Sequence, residues 1–413
     1  MPPKPTVPIS VNLPSDPMNL PRPSLLARWE SQSRRAKFLR GGGILLLIFI
    51  LMGGVGFAIA LLTKKNPSSD LLSGYKDKGS PLNIFSDINN TEQLVESPIN
   101  GLLYSPQEAL TWQGRRPIAV MMNNHVTARQ VQVGLSQADL IYEAVAEGGI
   151  SRFLAIYHSK LPSKVGTIRS ARVYYIDWAK EYNAWYAHHG RAQIDPNNPA
   201  VCDPRADTFS HMQSIFVSSV EGVASCWREN NGLAYEHTLF CDPSGLLNEA
   251  YQLYPDQPKE FNQSLLAVWK FKNDQPVPSA SAISTISFDF WDTTKGYEVE
   301  WKYQSDTNTY KRKQGGQAHI DHGNSQQLEA KTVIVVLMKE TSLNDLKAHL
   351  LYQTLGQGEA RIFMDGKAIK ASWSRDTIND RTEFYDASGV QLKFNRGQVW
   401  IEVVPMGNSV TYI

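Results

Sequence analysis

Residues 41–63 read GGGILLLIFILMGGVGFAIALLT, a run without charge or proline. About 20 apolar residues cross the hydrocarbon core of a bilayer. Only a helix can do so alone, since each backbone group must find its partner within the segment. Whatever else the chain folds into must therefore lie on one side or the other of this run. Arg28, Arg34, Arg35, Lys37 and Arg40 precede it, and only Lys64 and Lys65 follow closely. The more basic flank stays in the cytoplasm. This predicts a disordered, basic cytoplasmic tail over 1–40, a transmembrane helix over 41–63 and the remaining chain outside. The tail is longer than the charged region of a cleaved signal peptide. No lipidation cysteine follows, the first cysteine being Cys202. The reading is an uncleaved signal anchor.

Beyond the anchor, residues 64–105 are rich in Pro, Ser and Gly and predict a flexible linker. Strand-length apolar runs occur at 118–122, 140–145 and 153–158, the last two separated by Gly148-Gly149. Helical spacing of Val173, Ile176, Ala179 and Tyr182 predicts a helix within 170–183. Asp242-Pro243 predicts the start of another. The alternation gives an α/β or α+β domain over 106–267. Residues 268–413 carry further strand runs at 286–290, 297–303, 332–338, 360–364, 368–373 and 399–404. Turn signals such as Asp365-Gly366 lie between them, and 341–353 reads as one helix. This predicts a mainly β domain.

A formal net charge of +1 lacks the strongly basic balance of a nucleic-acid binder, so no nucleic-acid partner is expected. Cys202, Cys226 and Cys241 fall on the outer side. They suit either one disulfide with a leftover thiol or three free buried thiols.

Residues able to carry chemistry are densest between Asn123 and Gly190. Arg152 follows the Gly-Gly turn, and Arg169, Ser170 and Arg172 sit at a strand-to-helix junction. Guanidinium forks match phosphate and carboxylate, and a helix start adds free N–H groups. An anion site is one outcome; pairing of the arginines with Asp139, Glu143 and Glu147 is the other. Asp139 and Glu143 are four apart, on one face of a strand. With the arginines they would hold a divalent cation beside a phosphate. His188, His189 and His237 are candidates to line a cleft, with His125 or His158 as acid/base partners. The His319-x-Asp321-His322 string reads as a polar loop. No zinc-protease, Walker or serine-hydrolase motif appears.

The strings RPIAVMMNN, GLSQADLIYE, EGGISRFLAIY, GTIRSAR and HHG occur here in the order seen in the DUF3048 family of YerB-like lipoproteins. The resemblance extends from about Ser97 to Ile413, including the GQAHID and GQVW strings of the second half. It implies a fold and a compartment at the cell envelope, without an established reaction. The chain departs from the family in having an apolar helix in place of a lipid anchor. It also has Arg129-Gln130-Val131-Gln132 where the family has an Ala-Arg-Pro-Gln string. The acid-plus-arginine set behind a membrane helix is similar to that of the LytR-CpsA-Psr phosphotransferases. The expected function is binding of an anionic or glycan envelope ligand by an uncharacterised single-pass membrane protein. The alternatives are a metal-assisted phosphotransferase or hydrolase on a phosphate polymer, and an assembly module without a small ligand. No catalytic residue is assigned, no cofactor beyond the divalent cation is implied, and protein partners are left open.

Overall fold

The computed structural model describes residues 93–260, 269–291 and 293–413. The apolar run at 41–63 and most of the expected linker lie outside the described residues. Among the described residues no helix is long and apolar enough to cross a membrane.

The apolar runs become strands of two sheets, most of them in one ten-stranded mixed sheet and those at 286–290 and 297–303 in a second. In the first half these are β1 (Ile118–Asn123), β2 (Leu140–Glu147), β3 (Ile150–Tyr157), β4 (Trp185–Ala187) and β5 (Ser219–Val220). The two longest helices described there are α1 (Val173–Glu181) and α2 (Pro243–Leu253). The Asp242 side chain caps α2 by accepting from the Ser244 amide ahead of Pro243, as the sequence predicts. The second half contributes β6 (Thr285–Phe288), β7 (Val299–Gln304), β8 (Thr309–Gln314), β9 (Thr332–Met338) and β10 (Gly356–Met364). It continues with β11 (Lys367–Arg375), β12 (Glu383–Asp386), β13 (Val399–Pro405) and β14 (Val410–Tyr412).

The large sheet has the order β12-β11-β10-β9-β13-β2-β3-β1-β4-β5. The two halves therefore meet within it: β13 pairs in parallel with β2, placing Ile401 beside Tyr142 and Glu402 beside Glu143. A mixed α/β, mostly β chain results, and its two sequence halves share a sheet.

Burial explains the uninterrupted apolar strands. Ala119, Met121, Tyr142 and Ile334 face one side, where Tyr174, Tyr175 and Trp178 of α1 pack. Ile118, Val120, Met122 and Val333 face the other. There they meet Leu246 and Leu247 of α2 and Trp301 and Tyr310 of the second sheet, in which β8, β7, β6 and β14 are neighbours. A strand covered on both faces has no polar face to alternate with.

Two local expectations are corrected. The span 341–353 is not a helix: strands Glu340–Ser342 and Leu350–Tyr352 pair antiparallel across it. Asn344 and Ala348 take left-handed φ values of 54° and 53°, incompatible with a continuous helix. Asp345 closes the turn by accepting from the amides of Lys347 and His349 at 3.2 and 3.0 Å. The linker also stops short of residue 105. Val95–Glu96 pairs with Leu103–Tyr104, and the Gly397 amide donates to the Asn100 carbonyl at 2.8 Å.

The halves are tied by a buried polar cluster. Arg312 on β8 forms an ion pair with Glu143 on β2, and both side chains are wholly inaccessible. Glu143 also accepts from Asn124 Nδ2 at 2.9 Å, Ser151 Oγ at 2.5 Å and Gln314 Nε2 at 3.0 Å. A buried charge with one partner removed costs about 3–5 kcal/mol. Arg312→Met should accordingly lower unfolding free energy by about that amount, read from chemical denaturation.

Cys226 and Cys241 form a disulfide and Cys202 is free and buried, which resolves the cysteine alternatives. Thiol titration of the unreduced chain should detect one thiol per chain, and only after denaturation. Three thiols would contradict the pairing.

Candidate anion site

The segment 166–172 lies between β3 and α1 and is clamped from two sides. The Ile168 amide donates to Leu239 O at 2.9 Å and the Arg169 amide to Met121 O at 3.0 Å. The His189 amide donates to Arg169 O at 3.1 Å, and the Ala171 amide to Gly190 O at 3.0 Å. Gly190 has φ +79°, and a Cβ there would come within 2.8 Å of Ser170 Oγ, so the HHG glycine permits this approach. Arg169 and Arg172 are thus placed by backbone pairing, while Arg152 stands on β3 just beyond the Gly148-Gly149 turn.

Two of the arginines converge on one acid. Arg152 pairs with Glu147 Oε1 and donates to Ser170 O at 2.8 Å. Arg172 donates to Glu147 Oε2 through Nε at 3.2 Å and Nη2 at 2.7 Å. Burial alone would raise the Glu147 carboxyl, but Arg152 and then Arg172 outweigh it and hold it down to about 2. The cations are not fully compensated in return. Burial, and then Arg172, pushes the Arg152 guanidinium down to about 10 against the pull of Glu147. One carboxylate shared by two guanidinium groups leaves an excess of positive charge.

Arg169 adds to that excess. Its Nε is buried without a hydrogen-bond partner, and Glu147 and Glu236 act on it only through their charge. Nearby, His125 and His237 stack with centroids 4.8 Å apart and planes at 17°. Their tautomers follow from their neighbours. Asn123 Oδ1 accepts from the His125 amide at 3.0 Å, so its Nδ2 faces His237 Nδ1 at 2.8 Å and donates to it. His125 Nδ1 accepts from the Thr127 amide at 3.2 Å. Both rings therefore carry their proton on Nε2 when neutral. Burial lowers both pKa values; Arg169 and Arg129 lower that of His125 further, and His125 and Arg169 that of His237. Neutral rings with Nε2–H groups beside an unsatisfied guanidinium form a set of donors with no acceptor of their own.

The other sequence candidates are distributed as follows. His188 is buried, and its Nδ1 donates to Gly190 O at 3.0 Å with Glu221 at 3.7 Å. Its Nε2 is buried without a partner, and burial lowers its pKa against the opposing charge of Glu221. His189 is exposed, with Nε2 accepting from Arg228 Nη2 at 3.1 Å. Ser170 serves through its carbonyl.

Asp139 and Glu143 do not come together. Asp139 accepts from Asn100 Nδ2 at 2.5 Å, from the amides of His158 and Ser159 at 2.6 and 3.0 Å, and from Ser159 Oγ. Glu143 belongs to the Arg312 cluster. Four residues of extended chain set them about 13 Å apart, and separate sets of buried donors take their oxygens. His319 and Asp321 are not in a solvated loop. His319 is buried against Arg312 and Gln132 at 2.6 Å each, and Asp321 accepts from the Gly134 and Ser136 amides at 3.0 and 2.9 Å. A cavity of about 860 Å³ lies by Phe288, Trp291, Glu300 and Asn408. Another of about 470 Å³ lies by Arg129, Gly296 and His322. Neither is lined by Arg152, Arg169 or Arg172.

A carboxyl whose folded pKa is depressed stabilises above its unfolded pKa of about 4.3. That contribution disappears as pH falls toward about 2. Glu147→Gln should flatten this part of the stability–pH curve, with a loss at pH 7 on the order of 2 kcal/mol after solvent screening. An unchanged acid limb would show that Glu147 is not the neutralising group.

Comparison with known proteins agrees with this architecture. Residues 104–255 match the model "Protein of unknown function (DUF3048) N-terminal domain", and residues 286–401 match the corresponding C-terminal domain. The "Putative lipoprotein YerB" of Bacillus subtilis (strain 168) is 27% identical over 327 residues, covering 77% of this chain and 88% of that protein. The crystal structure of the YerB protein from Bacillus subtilis superposes with a TM-score of 0.62 at 23% identity, over 77% of this chain and 99% of that one. The likeness to that structure is one of fold. With both domain models matched in order over well more than half its length, the chain belongs to the DUF3048 family.

Proposed function

We propose that this protein is held at the outer face of a bacterial cytoplasmic membrane by residues 41–63. There it binds an anionic envelope ligand, a phosphate-bearing glycan polymer, at Arg169 and the stacked His125–His237 pair. The observation that carries the reading is the mismatch of donors and acceptors. Arg152 and Arg172 share Glu147, while the buried Nε of Arg169 has no partner. Leaving a buried donor unsatisfied costs about 1–3 kcal/mol, a cost that an incoming phosphate oxygen would remove. Arginine with two imidazole N–H donors suits a tetrahedral oxyanion through charge-assisted bonds.

The envelope location is supported by the charge-flanked apolar run at 41–63, by the Cys226–Cys241 disulfide and by the lipoprotein description of the Bacillus subtilis relative. The domain arrangement of the sequence reading, an α/β part over 106–267 and a β-rich part over 268–413, is retained with the shared sheet joining them.

Calorimetric titration of the full chain in detergent with pyrophosphate and with a wall-derived phosphate polymer tests the site. Arg169→Ala should weaken binding about tenfold or more, since a charged hydrogen bond is worth about 1.5–3 kcal/mol. The melting temperature should stay nearly unchanged, because the side chain makes no hydrogen bond to lose. Equal binding by the variant, or a large fall in melting temperature, would contradict the proposal.

A further inference from the structure

A second constellation lies far along the chain from these arginines. Cys202, Asp345 and His349 bring one potential ligand atom each to within 4.8 Å of one another, the one such group of three among the described residues. From these donors we infer that Cys202, Asp345 and His349 form a divalent transition-metal site, of a kind suited to zinc.

The donor set has the right chemistry. Thiolate, imidazole and carboxylate are the three ligand types zinc takes, and three protein ligands leave a fourth position for water. Bonds of about 2.0–2.3 Å imply tetrahedral edges of about 3.3–3.8 Å. The widest pair thus needs to close by about 1 Å, while Asp345 Oδ2 and His349 Nδ1, 2.8 Å apart, need to open by about 0.5–1 Å, both within the reach of side-chain rotation. Charge also balances: one thiolate and one carboxylate neutralise a divalent ion, which matters because Cys202 and His349 are both buried.

The frame is built before any metal arrives. Cys202 lies in the segment between β4 and β5, and the other two ligands lie in the turn between strands Glu340–Ser342 and Leu350–Tyr352. The Leu346 amide donates to Ala200 O at 2.9 Å, and the Asp203 amide to Asp345 Oδ2 at 2.9 Å. Asp345 Oδ2 and His349 Nδ1 are 2.8 Å apart, with a proton between them. A metal would take the place of that proton and of the thiol proton now directed to Asp203 O at 3.5 Å. The other two cysteines are locked in their disulfide, so Cys202 is the sole thiol able to bind.

That last point makes the test specific. Full-length protein in detergent, stripped with chelator, is titrated with Co²⁺ and followed in the near ultraviolet, where thiolate-to-cobalt charge transfer absorbs. One equivalent should produce the band and Zn²⁺ should abolish it. Cys202→Ser should lose the band, and His349→Ala should weaken Co²⁺ binding at least tenfold. Absence of the band in the native chain, or its persistence in Cys202→Ser, overturns the proposal. Should Cys202→Ser fail to fold, X-ray absorption of the zinc-loaded native protein decides. A sulfur scatterer at about 2.3 Å supports the site, and its absence overturns it.

Discussion

Arg312 is an arginine with no access to solvent, and the register of both halves depends on the way it is satisfied. Its guanidinium pairs with Glu143 and lies within 5.0–5.6 Å of the ring centroids of Phe153, Trp301 and Trp400. Those residues come from β2, β3, β7, β8 and β13, so both sheets contribute to one charge. Burial, and then the charge on Glu143, raises the Glu402 carboxyl well above its usual range; it accepts from Trp301 Nε1 at 2.9 Å and lies 3.6 Å from Arg312 Nε. A one-residue slip of β13 against β2 would move Glu402 to the opposite face and strand the indole N–H. Apolar packing would tolerate other alignments; a buried charge does not.

The same cluster reaches the candidate site. Arg312 donates to His319 Nδ1, and His319 Nε2–H donates to Gln132 Oε1, each at 2.6 Å. Gln132 donates in turn to the carbonyl of Asn123, whose side chain orients His237. Along this chain of contacts each acceptor has its donor. At Arg169 the pattern ends with donors left over. Arg312 Nε is also buried without a hydrogen-bond partner, but Arg312 is wholly inaccessible whereas Arg169 is half-buried, and that access is the physical reason for placing a ligand at Arg169.

Much of the strand content could be read from composition alone, because strands covered on both faces are apolar throughout. Residues 332–338 became β9 with the same ends, and Gly148-Gly149 became the β2–β3 turn. The misassigned helix at 341–353 failed for a local reason, the Asp345-centred turn with left-handed Asn344 and Ala348. At the site, Arg152, Arg169 and Arg172 were visible as residue types at a junction. Glu147 as their shared acid was one of three carboxylates considered. The stacking of His125 on His237 was not legible, since 111 intervening residues separate the two rings and only folding brings them together. The same holds for Cys202 with Asp345 and His349.

By itself the sequence determined the uncharged run at 41–63 with its basic flank, the strand periodicities and the order of motifs that marks the family. These are local properties, set by hydropathy and spacing over a few turns or strands. Tertiary structure alone decided which acids are spent. Asp139, just before β2, and Glu143 within it lie in separate networks, while Glu147 at the hairpin end collects two arginines. Pairing of buried charges depends on distances across the sheet, and those follow from the packing of both halves.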